Sequence, residues 1–449
     1  MLDGLRGLAV GIVVLFHFAP GMFPGGFLGV DVFFVLSGFL LTSLVLVEHH
    51  NSSSLSVRGF WERRVRRLLP AALATITVSV AIAFIIEPAH TRSALRGEAL
   101  AAITSLSNWW SIARGNSYAS SFGPQSPVAH FWSLAVEEQF YLLFPLMILG
   151  VVAILRVVRR RQWPYSQHHR LSVGLLILAI GGAVASAVTM IAIHTPMTDP
   201  SREYMGTDTR VQAIFIGVGL ACLWYLFPPA RTSAPSRLTS RSTALLLLAL
   251  VAAVLLADFR SDWLYRGGFT VVALGAAGLI WTLTRHPAGP GHRLLTSHPM
   301  RVLGEVSYGL YLWHWPVMVF LTPERTGLDG FRLFVLRILV TAIATSVSFV
   351  LIERPFRRPR AVTGSDGSVV TGASPVRSAR SLLIAWGSAS SIAAVLVLLL
   401  TIGPRIGGTT STAAPPDVGT TGSTAVPGVL PATEPYSTLW IGDSVMWTL

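Results

Sequence analysis

The chain of 449 residues contains no lysine, a single cysteine and little charge of either sign, with only 12% of its residues charged. One cysteine excludes a disulfide framework and a thiolate metal cluster; Cys222 lies within an apolar run and reads as packing. Scarce charge together with 52% hydrophobic residues excludes a soluble globular domain and leaves a polytopic helical membrane protein. With lysine absent, the net charge of +13 rests on arginine alone. Those arginines stand in short clusters between apolar runs, which is the pattern of cytoplasmic loops and not of a nucleic-acid-binding surface. The start also lacks a basic leader and a small-residue cleavage site, so the first apolar segment reads as a working helix.

What the chain does have is apolar runs long enough to be membrane spans. Eleven candidates lie near 4–19, 27–47, 69–86, 130–149, 171–193, 209–227, 242–257, 267–284, 306–321, 333–352 and 381–402. Residues 87–130 are less apolar and hold Asn108, Trp109 and Trp110, the composition of an external loop with a re-entrant or interfacial helix. Loops assigned to the cytoplasm with the N-terminus inside carry more than twice as many arginines as the others, so the C-terminus falls outside. The expected fold is an all-α polytopic membrane protein with about ten transmembrane helices over 1–360. A cytoplasmic linker (361–380), an eleventh helix (381–402), a flexible extracytoplasmic linker (403–435) and a final segment (436–449) complete it.

The first run, LDGLRGLAVGIVVLFHF, carries Arg6 and His17 with ten residues between them. Eleven helical steps return to nearly the same face, with a rise of roughly 16 Å. Ionisable groups inside a span are costly, so this shared stripe marks a functional site facing the bundle interior. Glu137 and Glu138 enter at the start of the fourth span and His314 lies in the outer half of the ninth. Two imidazoles and two carboxylates therefore converge at similar depth, with the cluster Arg63, Arg64, Arg66 and Arg67 below them near the inner face. Acyl transfer from a cytoplasmic acyl-coenzyme A suits that gradient. Arginines would pair with the donor's phosphates, and a histidine would take the proton of an acceptor hydroxyl. A second donor would stabilise the oxyanion, and a carboxylate would orient either the histidine or a sugar. Each group also has a plainer reading. The arginines read also as a positive-inside anchor, the glutamates as a helix start, His314 as an interface residue, and Asp31 as a group bonded to nearby backbone. The histidines in the loops have no metal-ligand context, and no metal is expected.

The blocks DGLRGLAV, FLGVDVFFVLSGFLLT, RRVRRLLP, HFWSLAVEEQFYLLFP and SYGLYLWHWP, from Leu2 to about Pro359, resemble the membrane-bound acyltransferase-3 family in the family's own order. That family O-acylates cell-envelope glycans. The resemblance implies an essential Arg-x10-His pair, here Arg6 and His17, and an Arg-x-x-Arg associated with the donor. The latter falls on Arg64 and Arg67, or one residue earlier on Arg63 and Arg66. The WSLAVEEQFY block brings Glu137 and Glu138, without choosing between them. The closing LWIGDSVMWTL looks like the opening strand and nucleophile turn of an SGNH-type α/β domain, with Ser444 as nucleophile. Its remaining blocks are absent, so the chain reads as part of a longer protein.

These readings imply an O-acyltransferase of the bacterial inner (plasma) membrane, moving an acyl group, most simply acetyl, from acyl-coenzyme A to a hydroxyl of a polysaccharide, peptidoglycan or glycolipid. Its partners are the lipid bilayer, the donor, the glycan acceptor and its own or a partner's SGNH domain. The alternative is a transporter or flippase using the same buried charges as a substrate path. That reading predicts a repeated half, which the sequence does not have.

Overall fold

The computed structural model describes residues 1–52, 56–88, 91–118, 126–158, 167–228, 237–285 and 290–357, with short strands at 362–363 and 369–370. The expected eleventh span, the segment 403–435 and the SGNH-like ending lie outside the described residues. Among the described residues the chain is a set of helices, seven of them long and apolar enough to cross a membrane. The two strands form an antiparallel ladder, Val362 with Val370 and Thr363 with Val369, in the stretch expected as linker.

The helices that build the site are α1 (Leu2–Phe18), α2 (Gly29–Ser52), α3 (Val57–Ile86), α4 (Arg92–Ile103), α5 (Ser107–Ala113) and α6 (Phe131–Val158). They continue through α7 (Gln167–Ile193), α8 (Ser201–Met205), α9 (Thr207–Leu226), α10 (Arg237–Leu256) and α11 (Phe269–Arg285). The last group is α12 (Pro290–Thr296), α13 (His298–Glu305), α14 (Ser307–Phe320), α15 (Pro323–Thr326), α16 (Gly330–Ser348) and α17 (Arg354–Arg357). Three expected spans come out shorter than a full crossing: α1 has 17 residues, α14 has 14, and the apolar part of α10 is Arg241–Leu256. At 1.5 Å per residue, α14 is about 21 Å long, short of a hydrocarbon core of about 30 Å. The stretch 87–130 holds α4 and α5, each too short to cross.

Local chemistry sets the helix ends and repairs their interruptions. Ser56 caps α3 by accepting the Gly59 amide at 3.1 Å. α1 stops at Phe18, two residues before Pro20. Pro145 inside α6 has no N–H, which leaves the Tyr141 carbonyl without its helical donor. The Trp61 indole of α3 donates to that carbonyl at 3.3 Å. A proline inside the bundle is thus turned into a helix-to-helix contact.

α9 packs along both α2 and α7, and α1 packs against α2, α13 and α14. The α2–α9 crossing brings backbone onto backbone. A Cβ on Gly38 would collide with the Ile214 carbonyl oxygen, and one on Gly217 with the Val35 carbonyl oxygen. Close approach through small residues is how helices associate where lipid offers no hydrophobic drive. Gly38→Ala should therefore cost about 1–3 kcal/mol through overpacking. A lowered midpoint of thermal unfolding in nanodiscs checks this, and an unchanged midpoint would mean the crossing is looser than described.

Candidate active site

His17 is buried, and at 3.2 Å its Nδ1 meets Nε2 of His314, 297 residues away. The proton positions follow from one fixed end. His314 Nδ1 lies 2.6 Å from the Tyr311 carbonyl, which can only accept, so Nδ1 carries the hydrogen. His314 Nε2 is then a lone pair and accepts from His17 Nδ1–H. His17 Nε2 is left as a lone pair and accepts from the Tyr118 hydroxyl at 3.3 Å. The result is a neutral imidazole whose basic nitrogen faces a hydroxyl, held in its tautomer by a second imidazole. Trp315 stands edge-on to His17, with centroids 4.9 Å apart, and its indole donates to the Ser126 carbonyl at 2.9 Å.

Tyr118 was not legible in the sequence, because it lies in the weakly patterned stretch between α5 and α6. A relay of hydrogen bonds positions it: the Tyr118 amide donates to the Ser201 hydroxyl oxygen at 2.7 Å, and Ser201 donates in turn to Asp199. Burial works to raise the Asp199 carboxyl, but the Ser117 and Ser201 donors outweigh it and hold the group below its ordinary value. The stabilisation is therefore complete above the unfolded pKa of about 3.9 and is lost as pH falls through the lower folded value. The stability difference between the native chain and Asp199→Asn should shrink toward zero on acidification. A difference that grew instead would refute this brace.

The carboxylates and arginines fall differently from the simplest expectation. Glu137 and Glu138 do not hydrogen-bond to either imidazole of the pair; the group at His17 Nδ1 is His314, not a carboxylate. Glu137 is buried and contacts Ser37, whose hydroxyl also bonds the Tyr141 hydroxyl, and its nearest opposite charges are Arg64 and Arg6. Glu138 points elsewhere and accepts from Ser105, a residue with φ of 58° between α4 and α5. Adjacent residues on a helix are 100° apart, so the pair cannot share one partner. The same geometry divides the arginines. Arg64 is half-buried with its guanidinium 4.6 Å from the Tyr141 ring centroid, and Arg67 is half-buried on the same face. Arg63 is exposed and pairs with Glu48 at 2.6 Å, and Arg66 is exposed. Of the two registers, 64 and 67 face inward.

Arg6 is paired with Asp3 at 3.6 Å and lies 5.6 Å from the Phe33 ring. Between Arg6 and His17 on the same stripe, Val10 and Val13 line a pocket that also touches α2, α6 and α14. Glu137, Ser133, Tyr308 and Tyr311 are its polar lining. Asp31 accepts a local backbone hydrogen bond, as its plainer reading has it, and does more. It forms a buried ion pair with Arg210 at 2.9 Å, with Arg210 packed over the Phe269 ring at 4.2 Å. Arg210 is a functional-looking residue that the sequence reading passed over, since it stands at the edge of an apolar run. His194 is another: it bridges Glu203 at 3.0 Å and Asp262 at 3.2 Å. His130 is a third, buried 5.7 Å from His314 by ring centroid, with no hydrogen-bond partner for either ring nitrogen among the described residues. No group of three or more His, Cys, Asp or Glu side chains arranged for a metal occurs among the described residues.

Among the described residues, seven helices long and apolar enough to cross a membrane, packed around an enclosed histidine pair, define a multi-pass membrane protein. The profile of the acyltransferase-3 family, described as an acyltransferase domain, matches residues 1–353, and the chain belongs to that family. It is 40% identical over 362 residues to YrhL of Bacillus subtilis, covering 79% of this chain and 54% of that protein. To the peptidoglycan O-acetyltransferase OatA of Listeria monocytogenes it is 38% identical, over 80% of this chain and 55% of the relative. To the O-acetyltransferase OatA of Staphylococcus aureus it is 34% identical, over 80% and 57% respectively. The chain thus spans about half the length of these relatives. No solved structure matches it.

Proposed function

We propose that the chain is an integral membrane O-acetyltransferase that takes acetyl from acetyl-coenzyme A and delivers it toward a hydroxyl of a cell-envelope glycan, peptidoglycan being the acceptor named for its OatA relative. The observation that supports this reading is the pocket lined by Val10 and Val13, two residues of α1 that stand between Arg6 and His17, whose Nε2 faces a hydroxyl. Arg6, Arg64 and Arg67 would hold the donor's phosphates through forked, charge-assisted hydrogen bonds. The arginine-rich loops support a cytoplasmic position for that end in a bacterial plasma membrane.

In the step itself, the acceptor hydroxyl takes the place at His17 Nε2 that the Tyr118 hydroxyl occupies. Its oxygen bonds to the thioester carbonyl carbon while Nε2 removes its proton. The C–S bond then breaks, and the thiolate recovers that proton from His17 and leaves as free coenzyme A. His314 keeps accepting from Nδ1–H throughout and so stabilises the imidazolium that forms. Ser444, should it be followed by a complete SGNH domain, would receive or pass on the acetyl group outside the membrane.

The test is thiol release from acetyl-coenzyme A by the full chain in lipid nanodiscs, with and without envelope glycan. Release is expected. Binding of the donor without release would assign acceptance to a further domain, and neither binding nor release would overturn the proposal in favour of transport.

A further inference from the structure

We infer that the Glu137 carboxylate accepts an amide N–H of the donor's pantetheine arm, and is a donor-binding residue rather than an acid–base group. This rests on the coenzyme A reading above and specifies what the pocket takes. Glu137 is 5% exposed and lines the pocket, yet its Oε1 has no hydrogen-bond partner among the described residues. The other polar groups in that wall are already engaged. The Ser133 and Tyr311 hydroxyls bond each other, Tyr311 also donates to the His130 carbonyl, and Tyr308 donates to the Leu68 carbonyl. The rest of the wall is valine, phenylalanine, leucine and glycine.

A buried carboxyl oxygen left unpaired is expensive, and with Ser37 engaging the other oxygen, Oε1 is left as an open acceptor. The occupant must therefore bring an N–H or O–H donor to one point and be largely apolar elsewhere. A sugar would need many partners that this wall does not offer, and an acyl tail would need none. A pantetheine arm, a mostly apolar chain interrupted by amides, matches a wall with one open acceptor. Its position also fits. Val10 and Val13 lie between Arg6 and His17, so a chain anchored by phosphates at the arginines passes Glu137 before its thioester reaches the imidazole.

The experiment measures equilibrium binding of coenzyme A and the kinetics of thiol release from acetyl-coenzyme A, using the native chain, Glu137→Gln and Glu137→Met in nanodiscs. Glu137→Gln keeps an acceptor oxygen and should stay within about threefold of native KM, whereas Glu137→Met should raise KM about tenfold with kcat little changed. A collapse of kcat in both variants at unchanged KM would overturn the inference and make Glu137 an acid–base group. Unchanged parameters in Glu137→Met would overturn it too. Should Glu137→Met fail to fold, the native chain is tested with a pantetheine analogue whose amides are esters. Binding about tenfold weaker than pantetheine is expected, and equal binding refutes the contact. If the native chain neither binds coenzyme A nor releases thiol, the donor reading itself falls, and that outcome is distinct from loss of the Glu137 contact alone.

Discussion

Replacing His17 by alanine should reduce thiol release from acetyl-coenzyme A by about 10³–10⁴-fold, while binding of coenzyme A is largely retained. The separation follows from where the groups lie. His17 Nε2 is a lone pair facing a hydroxyl, so its loss removes the acceptor for the nucleophile's proton. The arginines that would hold the phosphates are about three turns away along the same stripe at Arg6, and on α3 at Arg64 and Arg67, and the substitution leaves them in place. Thiol release followed colorimetrically, beside equilibrium binding, reads the two effects independently. A variant that lost binding and kept its rate at saturation would place His17 in donor recognition, contrary to the account.

His314→Ala is expected to be the second most damaging change, lowering kcat by about 10²–10³-fold. The backbone carbonyl of Tyr311 fixes the His314 tautomer, and His314 in turn fixes that of His17. Without it, His17 Nδ1–H loses its bond to the second imidazole, and the ring is free to present the protonated nitrogen to the acceptor instead. The unmade hydrogen bond also costs stability, about 1–3 kcal/mol. His314→Gln offers an amide oxygen near the position of Nε2 and should recover about tenfold of the lost rate, since an acceptor rather than an imidazole is what His17 needs. Equal rates for the two variants would show that His314 acts by titrating and not by orienting.

The parts of this site that sequence made legible are those governed by helical period. Arg6 and His17 share a stripe because eleven residues are close to three turns, and His314 meets them because its run places it at matching depth. Period does not reveal which of two adjacent residues faces inward unless the helix's partners are known. Glu137 and Glu138, or Arg63 and Arg64, look alike in the chain and diverge only once α6 and α3 are packed against α2. Tyr118 and Arg210 were illegible for another reason: one sits in a stretch without periodicity, and the other bonds Asp31 across 179 residues. The span count shows the same limit. Hydropathy marks the apolar runs near 4–19 and 306–321, but not that α1, ending two residues before Pro20, and α14, beginning after the break at Val306, have only 17 and 14 residues.

The central claim is that the donor's arm lies along α1, from the arginines to His17. Cryo-electron microscopy of the full chain in nanodiscs with a non-hydrolysable acetyl-coenzyme A analogue tests it most directly. The account predicts density through the pocket lined by Val10, Val13 and Glu137, with the acyl end beside His17 Nε2 and the phosphates at Arg6, Arg64 and Arg67. An analogue bound at saturation elsewhere, with this pocket empty, would contradict it.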